Sequence, residues 1–477
     1  MLEPTPRRSA RTTLRPLLVP ALAALLTLPA ALLVVPNSQA AAGPPGVRAA
    51  SGLTPTGPDV GDLAQSPEYL PEEAFTANWT RGQALQVRQT ADNTKPLIPE
   101  RFPVMTKKVW VWDTWPLTDL DMRPVEFRGW NVIFSLTAPR NLAFSDRHWS
   151  ARIGYFYSRN ARDWTYGGDL FPAGRSFGCR EWAGSAILTG KRRVHQFYTA
   201  SGDEAGACPN DDALQRLAHS VGRIRADRRG VSFGGFRKHA IVAEADGTLY
   251  QTLEQSRSGP IIYAFRDPFV FRDPMDRRIY ALFEGNNGGV AGTHTCDPWE
   301  IGRVPADHQV PPDARFYTGN IGLARVRGAS MDRWRLLPPL LSAECTNQQT
   351  ERPHLVVHDG HYYLWTISHT FTFAPGLTGP DGLYGFVGES LRSDYRALNR
   401  SGLALGNPPS APLQNYSDYV MPNLLVESFI DTVPTATGGE VFGGTLAPTL
   451  RLDLRRTRTR LVEELDYAYV PAMVRRR

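Results

Sequence analysis

Three acidic residues stand at the ends of apolar or aromatic runs, where partial shielding from water equips a carboxylate for nucleophilic or acid–base work. Asp113 lies in Val109-Trp110-Val111-Trp112-Asp113-Thr114-Trp115-Pro116-Leu117. Flanking indoles desolvate it and could also stack on the apolar faces of sugars, although the same residue could open a β-turn ahead of Pro116. Asp267 follows Arg266 in Tyr263-Ala264-Phe265-Arg266-Asp267-Pro268, and the guanidinium next to it could keep it ionised. The tripeptide recurs as Arg272-Asp273-Pro274, but that copy leads into Met275-Asp276-Arg277-Arg278, which reads as a hairpin turn, so Asp273 is taken as structural. Glu351, in Asn347-Gln348-Gln349-Thr350-Glu351-Arg352-Pro353-His354, fits a site rim or an exposed strand edge.

The elements that must position these residues read as strands. Short apolar or aromatic runs recur between Gly, Pro, Asn and Asp: 109–112, 131–136, 152–157, 194–199, 261–265, 279–283, 362–368, 385–387 and 426–430. Helical periodicity is nearly absent, with one short helix expected over Trp79–Gln89. Length alone, at about 100–200 residues per domain, would suggest two or three domains. The even composition instead points to one all-β domain: a sandwich, a barrel or a propeller.

The ends of the chain and its cysteines bound its setting. Arg7, Arg8, Arg11 and Arg15 precede an apolar stretch over 17–35 and then Ser38-Gln39-Ala40, the pattern of a cleaved export signal over residues 1–40. The Arg7-Arg8 pair leaves the twin-arginine route open beside the general secretory one. Pro20, Pro29 and Pro36 interrupt the stretch and argue against a retained anchor, so an extracellular protein without membrane association is expected. Residues 41–77, rich in Gly, Pro, Ala and Ser, read as a tether, and 78–477 as the folded domain. Four cysteines allow three pairings; Cys179–Cys208 and Cys296–Cys345 are favoured because each closes one excursion of the chain. The net charge of +6 draws on arginines of the leader and of the C-terminal end, and no nucleic-acid motif accompanies them.

The three carboxylates acquire a joint meaning from a resemblance. Trp112-Asp113-Thr114-Trp115-Pro116-Leu117, Arg266-Asp267-Pro268 and Gln349-Thr350-Glu351-Arg352-Pro353 resemble, in order, the signature motifs of the levansucrase family, glycoside hydrolase family 68. Further blocks run from residue 79 to residue 449, among them Glu181-Trp182-Ala183-Gly184-Ser185, Phe283-Glu284-Gly285-Asn286, Tyr419-Val420-Met421-Pro422 and Gly443-Gly444-Thr445-Leu446-Ala447-Pro448. The resemblance implies a single five-bladed β-propeller with a funnel-shaped site at its axis. It also implies a sucrose-dependent fructosyltransferase that uses sugar or fructan acceptors and needs no cofactor. A monomer is expected.

By match to the motifs, Asp113 is the nucleophile, Glu351 the general acid/base and Asp267 the transition-state stabiliser. Trp112 and Trp182 would wall the fructosyl pocket, Arg266 would donate to sugar hydroxyls, and Gln349, Arg352 and His369 would contact substrate. Double displacement with retention requires the two reacting carboxyls to lie about 5–5.5 Å apart, with Asp113 ionised and Glu351 protonated at rest. Two departures from the family pattern stand out. Ala183 replaces a serine that can support the nucleophile, and Gln348 replaces an aspartate of a calcium shell, so no metal is expected and a Cys296–Cys345 bridge could tie down that region. A β-fructofuranosidase or inulosucrase of the same family, or a propeller that only binds carbohydrate, would carry much of the same sequence.

Overall fold

Proline shows which strands can line an axis, because a residue without an N–H cannot sit inside a hydrogen-bonded ladder and is tolerated at an edge. Pro268 and Pro353 occur in Arg266–Arg272 and Glu351–His358, each paired on one side only, with Ile279–Asn286 and His361–Ser368. Pro116 occurs in Val109–Thr118, which pairs with Trp130–Pro139 and meets a second strand only at Leu117 and Thr118.

The computed structural model describes residues 76–203 and 213–476, all within one compact unit. They form five antiparallel blades around these inner strands: blade I (109–169), blade II (180–243), blade III (266–342), blade IV (351–406) and blade V (415–467). The architecture is the five-bladed propeller expected. Blades I and II are joined into one curled sheet by parallel pairing of Leu117 and Thr118 with Ala186 and Ile187. Inner strands are buried along nearly their whole length, at polar positions such as Arg266, Asp267, Arg352 and Asp418 as well as at apolar ones.

Both ends of the described chain act as clasps. Val474–Arg476 adds a parallel strand to Val125–Phe127 of blade I, and Ala77–Asn78 adds one to blade III beside Leu341 and Ser342. The intervening segment crosses blades IV and V. Trp79 packs its ring among Phe373, Tyr384 and Phe386, and Lys95 reaches a fully buried ion pair with Asp418 at 2.7 Å. Truncating a buried tryptophan of this kind costs about 3–5 kcal/mol.

Some expectations need correction. The helix read over Trp79–Gln89 is one turn, Arg81–Ala84, whose capping box of Thr80 and Gln83 satisfies its first N–H groups. The run 261–265 is not a strand. Its backbone is held by side-chain amides instead, with Phe265 N–H donating to Gln215 Oε1 (3.1 Å) and Ala264 N–H to Asn286 Oδ1 (2.6 Å). Residues 1–40, nearly all of 41–77, and Cys208 lie outside the described residues. No described helix is long and apolar enough to cross a membrane.

Candidate active site

Each inner strand is bulged at the level of the axial funnel. The pairing register slips between Trp112 and Thr114, Trp182 and Gly184, Arg266 and Phe269, Glu351 and His354, and Tyr416 and Tyr419. Asp113, Asp267, Arg352 and Ser417 accordingly take positive φ angles of 44°, 61°, 46° and 65°. A bulge breaks strict alternation, so consecutive side chains can share one face. That is how strands from different blades aim neighbouring residues such as Trp112 and Asp113, or Arg266 and Asp267, at one place. All nine residues singled out in the sequence line a single cavity of about 410 Å³.

Arg266 organises the charge. Its Nε sits 2.7 Å from Glu284 Oε2, and Nη2 donates to Glu351 Oε1 at 2.9 Å, so one guanidinium serves two carboxylates. Burial lifts Glu284 well above the usual carboxylate range despite Arg266. Asp267, 8% exposed, is pushed up to about 7 by burial, with Arg266 opposing and the negative charges of Asp113 and Glu351 adding to the rise. Glu351 goes the other way. Burial would raise it, but Arg266, His369 and a hydrogen bond from Tyr416 together hold it below its ordinary value. Burial thus favours the protonated forms of Glu284 and Asp267, while Arg266, His369 and Tyr416 favour the anion of Glu351, the opposite direction to the protonated Glu351 expected from the sequence.

Around Asp113 the arrangement is different. Burial raises its pKa, partly offset by the charge of Arg352 and a hydrogen bond from Ser417. Arg352 directs its guanidinium to the carbonyl of Thr114, the carbonyl of Ser417 (3.1 Å) and the Ser417 hydroxyl, bracing the strands of blades I and V. Ser417 thus gives Asp113 a hydroxyl donor from blade V, while Ala183 lines the same cavity from blade II. The Arg352 backbone N–H donates to Asp267 Oδ2 at 3.3 Å, while Thr199 Oγ1 accepts the Asp267 N–H at 2.9 Å.

The remaining predicted residues form the walls. The indole N–H groups of Trp112 and Trp182 are buried without a hydrogen-bond partner among the described residues, two donors available to a polar ligand. His369 Nδ1–H donates to Asp381 Oδ2 (2.7 Å), and the ring stacks on Tyr416 at 3.7 Å between centroids and lies 3.9 Å from Glu351. Burial lowers its pKa, but Asp381 and Glu351 outweigh that and raise it. Gln349 lines the cavity with its backbone N–H bonded to Asn347 Oδ1.

Sequence reasoning missed Tyr416, Ser417, Arg147 and His148, which join the site from blade V and from the 3₁₀ segment Phe144–Ser150. No local pattern marked them. Glu284 was legible only as part of a block, Phe283-Glu284-Gly285-Asn286. Asp273 lies beyond the far end of its strand, where its carboxylate receives the Tyr362 hydroxyl and turn N–H groups. At Gln348, Oε1 accepts the Thr318 N–H at 2.8 Å, and the nearby Cys345 is bonded to Cys296. The other favoured pairing involves Cys208, outside the described residues.

A propeller with carboxylates from three blades converging on one axial pocket, lined by indoles and arginines, defines a carbohydrate-active enzyme of the fructosyltransferase and glycoside hydrolase class. The model of the levansucrase/invertase family matches residues 70–471, and the chain belongs to that family, glycoside hydrolase family 68. It is 46% identical over 413 residues to levansucrase LscB of Pseudomonas savastanoi pv. glycinea, covering 83% of this chain and 93% of the relative. It is 44% identical to the extracellular sucrase of Zymomonas mobilis, covering 83% and 95%. Among solved structures, the β-fructofuranosidase catalytic domain of Microbacterium saccharophilum K-1 superposes with a TM-score of 0.78 at 40% identity, covering 86% and 96%. The inulosucrase of Halalkalicoccus jeotgali bound to kestose does so with 0.75 at 40% identity, covering 83% and 98%.

Proposed function

We propose that this enzyme is exported and transfers fructosyl groups from sucrose to sugar, fructan or water through a covalent fructosyl-enzyme. The observation that carries the reading is the meeting of Asp113, Asp267 and Glu351 in one buried pocket beside Arg266. In this reading Asp113 attacks the fructosyl carbon while Glu351 protonates the departing glucose, and a second displacement restores Asp113 with net retention. Asp267 offsets positive charge on the fructosyl ring. Trp112 and Trp182 supply N–H donors and apolar walls to the sugar.

The proton for the leaving group has to reach Glu351 from within the cluster. Glu284 and Asp267 hold protons more tightly than ordinary carboxyls, and Arg266 touches Glu284 and Glu351. A sugar that draws Arg266 toward its hydroxyls weakens the ion pair at Glu351, raises its proton affinity and moves the proton where the chemistry needs it. Export is supported by the basic and apolar leader and by the likeness to an extracellular sucrase.

Purified protein incubated with sucrose tests the reading. Glucose in excess of fructose marks transfer, equal amounts mark hydrolysis, and release of neither refutes the proposal. Transfer product with β-2,6 linkage, read by NMR, identifies a levansucrase; β-2,1 linkage identifies an inulosucrase.

A further inference from the structure

Blade II carries a concentration of arginines that the sugar chemistry does not use. Arg193 and Arg223 are directly opposed on neighbouring antiparallel strands, Arg193–Ser201 and Gln215–Ala226, and both are exposed. Arg225 follows on the same face, and the next strand presents Ser232 and Gly234 opposite Arg225 and Arg223. Directly opposed like charges destabilise a sheet, so such a pair is an arrangement that an anion would relieve.

These side chains line a groove of about 500 Å³ with Val221 and half-buried Phe233 along it. The groove continues in two directions. One hollow shares Arg193 and Arg223 and adds Lys191 and Arg192; the other shares Arg225 and adds Arg128 and Arg229. Among the described residues, Arg192, Arg193, Arg223, Arg225 and Arg229 form no ion pair with a carboxylate. The adjacent acids are otherwise engaged: Asp227 accepts the Arg229 and Gly230 N–H groups of its own turn, and Asp332 accepts the Ser330 hydroxyl.

The groove lies away from the funnel. Along blade II, Arg180 pairs with Ser201 at the funnel end, whereas Thr189 pairs with Arg193 at the other. A chain lying across Arg193 and Arg223 leaves the cavity open. Forked guanidiniums favour carboxylates and phosphates bound in pairs. Charges repeat at about 5 Å across the strands and about 7 Å along one, a spacing suited to an extended polymer carrying an anion on each unit. Base stacking finds no exposed aromatic platform here, since Phe233 and Tyr157 are half-buried, and a flat lipid surface would not follow a groove.

We infer that this face of blade II is a docking surface for a linear acidic polysaccharide, a sugar chain bearing carboxylates, which holds the enzyme with its funnel facing outward. The full chain is titrated with polygalacturonate at low and moderate salt, beside neutral dextran, anionic-lipid vesicles and double-stranded DNA. Binding is expected for polygalacturonate and not dextran, weakening as salt rises. The triple variant Arg193→Gln/Arg223→Gln/Arg225→Gln should weaken it about tenfold or more while sucrose turnover is unchanged. Arg455→Gln/Arg458→Gln/Arg460→Gln, with the same charge removed from blade V, should change it by less than about twofold. Should the triple variant not fold, Arg193→Gln and Arg223→Gln singly are each expected to weaken binding about threefold. No binding, equal loss in the blade V variant, or tighter binding to vesicles or DNA overturns the inference.

Discussion

Removing the Ser417 hydroxyl gives a direct test of how Asp113, the proposed nucleophile, is stabilised as an anion. Ser417 donates to Asp113 while its oxygen receives Arg352, so Ser417→Ala deletes one donor to the carboxylate and loosens the guanidinium behind it. A hydrogen bond to a charged group is worth about 1.5–3 kcal/mol, and one pKa unit is about 1.4 kcal/mol. The upper bound is therefore about two units. Arg352 keeps its bonds to Thr114 and to the Ser417 carbonyl and continues to lower Asp113, so a rise of about one unit is expected. The sign follows from the donor: losing it destabilises the anion, and Asp113 stays protonated to higher pH. Initial rates of glucose release at low sucrose, taken across the acid range, should show the acid limb of kcat/KM moving up by about one unit, with little loss on the plateau. A limb that stays in place with a uniform fall in kcat would refute the electrostatic role and leave Ser417 as a spacer; a limb that moves down would refute the sign.

Tyr416→Phe removes a donor that stabilises ionised Glu351, so the alkaline limb should shift upward by about one unit, measured in the same assay. Asp267→Asn should lower kcat by about a thousandfold while changing KM little, and near-normal turnover would remove Asp267 from the chemistry. Lys95→Met leaves Asp418 buried without its cation and should cost about 3–5 kcal/mol in urea unfolding; a loss under about 1 kcal/mol would show that Asn415 and water suffice.

Blade strands whose apolar character is continuous were legible in the sequence, as at 131–136 and 362–368. Those mixing glycine and arginine, such as Val231–Ala243, were not, because an outer strand half-exposed to water has no strong pattern to show. The run 261–265 misled for the opposite reason: Tyr263, Ala264 and Phe265 are buried, while side-chain amides of Gln215 and Asn286 take the place of a ladder.

Asp113, Asp267 and Glu351, read locally, each suited a turn or an edge as well as a site, and their motif order identified them together. Motif order alone sufficed for the family, the strand-rich fold and the identity of the three carboxylates. Tertiary structure set their proton affinities. Glu351 is held below its ordinary value by Arg266 of blade III, Tyr416 of blade V and His369 of its own blade, and Asp113 is supported by Ser417 of blade V. A pKa depends on burial and on charges within a few ångströms, and those neighbours are brought together only when five bulged strands converge on one axis.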